Sequence, residues 1–485
     1  MLAKPQSDHP AGILSAMSVR GPLGATPQSG AFDLRTRPAA PTSALGQRGT
    51  SSRVRLGQIG LAGVLATGLL VSIAAAHTDS LLPESVRPVP RWLAGPFGGA
   101  SLDLHVGWLI GVLALMFVSY ALAVRVADRM SARVVLMTIA AFHALMLLAP
   151  PLLSTDVFSY QAYAKMWAIY GANPFTHGPH VMALDPLYPF IGAKWVNTPS
   201  AYGPVFTAFS YVLAPLSIAA SALAYKAIAA TASLATVALV YNAARLRGVD
   251  PVKAAALVGL NPLIVVYGVG GGHNDLLMLA LMMAGVLAVL QHRDRASGAL
   301  IVAGAGIKLT AGLFLPFAIA SGGRLGATRR RRDIVVGALA TTVAIAVLAF
   351  ALFGTGPLHL LGTLQKTQSE GDWHSIPGFI STRLGLGTVG HAAGLALGGA
   401  FVVAYLWLMR KVWRGEMDWI DGAGWVGVAL IITASSMLPW YVAWLMPFAA
   451  LGTDRRLWRW ALWVTAVVQG IQLLGYIPHS SGLGL

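Results

Sequence analysis

The run STDVFSYQAYAKMWAIYGANPF, residues 154–175, places one carboxylate, Asp156, among aromatic side chains. On a helix, Asp156, Tyr160, Tyr163, Trp167 and Tyr170 fall at offsets 0, 4, 7, 11 and 14, close to one face of a 3.6-residue period, and Lys165 points the opposite way. The nearest cation therefore does not neutralise the acid, which shares a face with flat rings of the kind that stack on sugars. A carboxylate so placed is a candidate for catalysis. Ser154, Thr155 and Asp156 are equally good helix N-caps, so capping stands beside catalysis as a reading of this stretch.

A second polar cluster is GVGGGHNDLLM, in which His273, Asn274 and Asp275 follow a glycine-rich turn. The trio can bind a sugar or a phosphate oxygen, or Asn274 and Asp275 can cap the next helix with His273 as a bystander. Lys308, in GAGIKLTAG, offers a cation to an anionic headgroup, or is a lysine snorkelling to the interface. In KTQSEGDWHSIPGFISTR, Arg383 can bind two phosphate oxygens at once. Glu370 and Asp372 have the spacing to hold a divalent ion, but solvated carboxylates are more often plain surface, so no metal or other cofactor is expected. Pro439, Trp440 and Tyr441 read first as aromatic-belt anchors and only secondarily as sugar-stacking groups. The chain has no Walker loop, dinucleotide fingerprint, HExxH or Gly-x-Ser-x-Gly, and soluble nucleotide chemistry finds no support.

These residues punctuate a very apolar chain: 56% of the 485 side chains are apolar and 11% charged, with a mean hydropathy of +0.66. That composition specifies an integral membrane protein. Apolar runs near 20 residues, without alternating ten-residue strands, make it all-α and polytopic. Spans are predicted near 57–76, 104–125, 134–152, 221–244, 252–269, 276–292, 334–353, 391–410, 421–438, 441–452 and 459–476, with 295–320 broken at Gly306-Ile307-Lys308 into two short helices. This gives about thirteen crossings, with the N-terminus in the cytoplasm. Residues 203–218 are read as a helix at the interface, within a large outer loop spanning 153–220.

The placement puts 26 of the 34 lysines and arginines on the inner side, as the positive-inside rule requires. The net charge of +16 is thus a topology signal, and no nucleic-acid partner is expected. Residues 1–56 read as a disordered basic cytoplasmic tail, too long to be the start of a cleaved leader. With no cysteine, disulfides and thiolate metal sites are excluded. The candidate residues all fall in outer turns.

In order, TDVFSYQAYAKMWAIYGANPF, SAYGPVF, NPLIVVYGVGGGHNDLLM, GIKLTAGLFLPF and LPWYVAWLMPF resemble the GT-C superfamily of membrane glycosyltransferases, and more narrowly the bacterial polyprenol-phosphate-mannose-dependent α-1,6-mannosyltransferases, over about residues 100–480. The resemblance implies inverting transfer of a hexose, mannose by preference, from a polyprenyl-phosphate sugar to an outward-facing glycan or glycolipid at the plasma membrane. It places an outer-loop general base on Asp156 and the second polar cluster on His273, Asn274 and Asp275. Lys308 and Arg383 are the cations chosen for the leaving phosphate, and Tyr160, Tyr163 and Trp167 the candidates for holding substrate. The alternative class is a secondary transporter or lipid flippase, which would place ionisable groups near the bilayer midplane and show inverted repeats.

Overall fold

A computed structural model describes residues 44–322, 327–369 and 373–476. Residues 1–48 form one unit and 49–485 another, and the second carries the fold described below. Residues 1–43 of the expected tail, and Glu370 and Asp372, lie outside the described residues. The first helix, α1 (Ala44–Ala74), begins ahead of the predicted boundary at 57, since no proline interrupts the chain between Pro41 and Pro83.

The described residues contain no strand. After α1 come α2 (Val106–Arg125), α3 (Ala132–Leu148), α4 (Asp156–Ala168), α5 (Pro204–Ser210), α6 (Ile218–Arg247) and α7 (Pro251–Gly259). The chain continues through α8 (Asp275–Leu290), α9 (Asp294–Ile307), α10 (Leu315–Ala320), α11 (Ala327–Phe353), α12 (Leu360–Ser369) and the single turn α13 (Ile376–Gly378). It ends with α14 (Gly387–Trp413), α15 (Trp419–Thr433), α16 (Met446–Leu451) and α17 (Arg455–Leu474).

Among the described residues, five helices are long and apolar enough to cross a bilayer: Ser52–Ala74, Val106–Arg125, Ile218–Arg247, Thr328–Phe353 and Gly387–Trp413. A sixth crossing forms if α7 and the wider helix Leu263–Val269 count as one span bent by 46°. The architecture is that of a helical membrane protein. Most other runs read as crossings are broken or shorter than predicted: α3 stops at Leu148, α8 has 16 residues, and 421–452 divides into α15, a 3-10 helix at Pro439–Trp444, and α16. The 203–218 stretch forms α5 and one further turn to Leu213. At about 1.5 Å per residue that is too short for a crossing.

The breaks have local causes. Pro262 lacks an amide hydrogen, and Asn261 replaces the lost order by accepting from Leu263 N at 3.0 Å and donating to Tyr120 Oη at 3.3 Å. Lys308 is extended (φ −145°, ψ 123°), which ends α9 at the predicted point and starts the 3-10 helix Leu309–Phe314. At that break Gly203 N–H donates to Ile307 C=O at 2.8 Å. A Cβ on Gly203 would overlap the Gly306 carbonyl oxygen, so only glycine lets the two backbones approach this closely. The starts of α9 and α11 are tied by ion pairs, Arg330 to Asp294 at 3.0 Å and Arg295 to Asp333 at 3.0 Å.

Candidate active site

Asp156 is the first residue of α4, but its carboxylate does not cap the helix. Ser154 Oγ accepts from Asp156 N at 3.2 Å, and Thr155, at the N-cap position, makes no side-chain cap. Asp156 Oδ2 accepts instead from Tyr160 Oη at 3.2 Å and from His273 Nδ1 at 3.1 Å. An ionised carboxylate can only accept, so in this contact Nδ1 is the donor. Tyr160 Oη in turn accepts from Asn274 N at 3.2 Å.

The loop that carries His273 is shaped by its glycines. Gly272 adopts a left-handed conformation (φ +69°), which turns the chain sharply after the wide helix and presents His273 to Asp156. Leu152 N–H donates to Gly270 C=O at 3.0 Å, binding the segment leading to Asp156 alongside this turn. The His273 ring stacks on Trp440 with centroids 3.4 Å apart and planes at 17°. Among the described residues, His273 Nε2 and both polar side-chain atoms of Asn274 are buried without a hydrogen-bond partner. Buried polar atoms in native folds are nearly always satisfied, so this concentration behind Asp156 sets the region apart from ordinary core.

Beside it, Lys308 Nζ donates to both oxygens of Asp275 at 2.8 Å, and Trp444 Nε1 donates to Asp275 Oδ1 at 2.9 Å. The Lys308 ammonium lies 5.0 Å from the Tyr441 ring and 5.4 Å from the Trp444 ring, and those two rings stack at 4.0 Å. The Asp275 side chain is 1% exposed and that of Lys308 18%. Burial pushes the Asp156 carboxyl upward, but the hydrogen bond and field of His273, the field of Lys308 and the Tyr160 hydroxyl outweigh it and hold the group below the usual carboxylate range. Burial lowers Lys308, and the field and hydrogen bond of Asp275 reverse this, keeping the ammonium charged. The result is a carboxylate that stays ionised, a fifth exposed, near a fixed cation.

Asp156, Tyr160, His273, Asn274, Asp275 and Lys308 thus form one connected cluster. The aromatic stripe is arranged differently from the expectation. Tyr160 is enclosed by Tyr202, Phe206 and Tyr225, with centroids 4.8, 4.8 and 5.3 Å away. Tyr163 is buried, with its hydroxyl on Thr198 C=O at 2.8 Å. Trp167 packs on Phe353 at 5.3 Å. The rings of Tyr160 and Tyr163 are taken up by protein neighbours, and what Tyr160 gives the site is its hydroxyl. Tyr170 lies beyond the end of α4 and donates to Asp185 at 2.8 Å; Lys165 pairs with the same carboxylate at 3.0 Å, away from Asp156.

Arg383 lies over the ring of Trp373 at 4.5 Å and makes no contact with the cluster among the described residues. No group of three or more potential metal ligands occurs among the described residues. Trp440 and Tyr441, read from the sequence chiefly as belt anchors, form a wall of the cluster together with Trp444, which that reading did not single out. The signal was present in the spacing of LPWYVAW, but which turn it would meet was not. Next to Asp156, Thr155 lines an open groove of about 620 Å³ together with Glu84, Ser85, Tyr188, Ile191 and Gly192.

Comparison with known proteins adds an independent finding. A protein of Mycolicibacterium smegmatis described as a probable alpha-(1->6)-mannopyranosyltransferase is 30% identical over 360 residues, which is 64% of this chain and 63% of that protein. Alpha-(1->6)-mannopyranosyltransferase A of Mycobacterium tuberculosis is 27% identical over 82% of this chain and 79% of its own length. Alpha-(1->6)-mannopyranosyltransferase B of Corynebacterium glutamicum is 27% identical over 64% of this chain and 58% of its own. The matched stretch thus spans less than two thirds of the first and third of these relatives. Residues 54–324, which include Asp156, the His273 turn and Lys308 but not Arg383 or Trp440, match the family described as "Alpha-(1->6)-mannopyranosyltransferase, N-terminal domain", and the chain belongs to that family.

Proposed function

We propose that this protein transfers a mannosyl residue from a polyprenyl-phosphate donor to an outward-facing glycan or glycolipid, with inversion at the sugar carbon and Asp156 as general base. The observation that carries this reading is the Asp156 carboxylate, held ionised by His273 and Tyr160, a fifth exposed, and next in sequence to Thr155, which lines the groove. The acceptor lies in that groove with a hydroxyl against Asp156. Its oxygen forms the new bond to the sugar's anomeric carbon while the proton passes to the carboxylate. The bond from that carbon to the phosphate oxygen breaks, and its electron pair leaves with the polyprenyl phosphate.

A base near pH 7 must be ionised and within hydrogen-bond reach of the proton it takes, and a fixed cation lowers the barrier where negative charge develops. Lys308 serves the second need, with Asp275 and Trp444 fixing its position. Of the two cations read from the sequence, Arg383 has the weaker support, since only Lys308 adjoins the base. No metal is required by this scheme. The topology proposed with it has about thirteen crossings and a cytoplasmic N-terminus, with α5 lying at the interface and the site on the outer face of the plasma membrane. It is supported by the meeting of turns 150–156, 270–275 and 306–308 with 439–444, all assigned to that one side.

The test is to supply the purified protein in nanodiscs with a panel of polyprenyl-phosphate hexoses and envelope glycolipid, and to identify the donor consumed and the linkage formed. Consumption of the mannosyl donor with an α-1,6 product is expected. Movement of labelled sugar lipid across proteoliposomes with no donor consumed would replace the proposal by the transporter reading.

A further inference from the structure

Lys226 lies in the third turn of α6, is 2% exposed, and has no part in the cluster around Asp156. Its ammonium donates to the carbonyls of Ala149 and Pro150, the latter at 3.1 Å, at the C-terminal end of α3. No carboxylate pairs with it among the described residues. A helix C-terminus carries roughly half a negative charge, so capping α3 compensates only part of the charge that Lys226 carries when protonated. Two of the three N–H groups are used. A buried cation without a full counter-charge is costly in any fold, and most of all beside lipid.

The remaining face of Lys226 borders a cavity of about 260 Å³ between α3, the start of α6 and the 92–96 segment. Apart from the lysine its lining is apolar: Trp92, Pro96, Leu148, Pro151 and Leu223 among others. Trp92, Leu148 and Leu223 are also 52, 43 and 52% exposed, so the cavity is open beside α3 and α6. The lysine also adjoins the turn before His273, since Gly272 packs against the aliphatic stem of Lys226. A single buried cation at the end of a lateral apolar slot matches one chemistry, a phosphate carried on a hydrocarbon chain.

We infer that the Lys226 cavity is a binding site for a lipid phosphate, with the ammonium on the phosphate oxygens and the first isoprene units against Trp92, Leu148 and Leu223. The inference rests on the donor reading above only for the lipid's identity, a polyprenyl phosphate. It gives the carrier a side entrance from the bilayer, separate from the groove beside Thr155.

The experiment uses the protein in nanodiscs and farnesyl phosphate carrying a diazirine in its second isoprene unit, with farnesol and inorganic phosphate as competitors. Label is expected within 92–96, 147–151 or 219–226, displaced by unlabelled farnesyl phosphate and not by either competitor. Lys226→Gln should reduce labelling about tenfold or more, the loss of one charge-assisted contact, while Lys226→Arg retains it. Melting and size-exclusion profiles of both variants report folding. If Lys226→Gln does not fold, the label map and competition on wild type and Lys226→Arg decide. Label elsewhere, displacement by farnesol, or undiminished labelling of folded Lys226→Gln would overturn the inference. Displacement by inorganic phosphate would make it a free-anion site and equally overturn it. Asp156→Asn should label like wild type, so loss of sugar transfer and loss of lipid-phosphate binding are separately visible.

Discussion

Replacing Asp156 by asparagine isolates the one property the proposed chemistry needs. The amide oxygen can still accept from Tyr160 Oη and His273 Nδ1, now 3.2 and 3.1 Å from the carboxylate, so the turn at Gly272 keeps its anchor. What disappears is the negative charge that receives the acceptor's proton. A positioned general base contributes about 10²–10⁴-fold, or roughly 3–5 kcal/mol of transition-state stabilisation, and initial rates of transfer from labelled polyprenyl-phosphate mannose should fall by that factor. The two charge-assisted hydrogen bonds become neutral ones, costing about 1–2 kcal/mol, so the variant should remain folded in detergent. Asp156→Glu keeps the charge but displaces it by about one C–C bond, and a misplacement of about 1 Å is worth on the order of 10²-fold. An asparagine variant that transfers mannose within about threefold of wild type would remove Asp156 as the base.

Other perturbations probe the surroundings of that carboxylate. Because its folded pKa is depressed, Asp156 remains charged through the neutral range. Its contribution to stability is present above the ordinary carboxyl range and is lost as pH falls through the lower folded value. The acidic limb of kcat/KM should therefore lie low in wild type and move to higher pH in His273→Phe; an unmoved limb would mean that His273 does not tune the base. Lys308→Met strands the buried Asp275 carboxylate and should cost about 3–5 kcal/mol, whereas Lys308→Met with Asp275→Leu should regain most of the stability and none of the activity, read by thermal melting beside the transfer assay. Arg383→Ala should leave transfer within about twofold, since no hydrogen bond or ion pair joins it to the cluster among the described residues; a loss comparable to that in Lys308→Met would restore it as a phosphate ligand.

Much of the site could be read from the chain because its polar residues interrupt an otherwise apolar sequence. Asp156, His273, Asp275 and Lys308 stand out on composition alone, and the break at Lys308 follows from the cost of a lysine at mid-bilayer. Pairings between distant turns were not legible. Nothing in GAGIKLTAG says that its lysine meets Asp275 across 33 residues, and a free cation became one held by a bidentate ion pair. Helical phase correctly aligned Tyr160 with Asp156, but phase cannot tell an open face from one covered by Tyr202 and Phe206. Helix lengths were the weakest reading, because hydropathy runs on past Leu148 and Thr433 although the backbone has already left the helix.

The close approach of Gly203 to Gly306, with the Leu152 to Gly270 hydrogen bond, means that the lip around Asp156 is indexed by main chain to main chain. Such stitching is indifferent to most side chains and intolerant of changes in length. An added residue near Gly203 or Leu152 would slide Asp156 past His273, whereas the same insertion beside the fully exposed Leu184 would meet no such seam. Across relatives of this protein, the segments around Asp156 should therefore drift in composition while keeping their residue count, and the loop near 184 should be where lengths diverge.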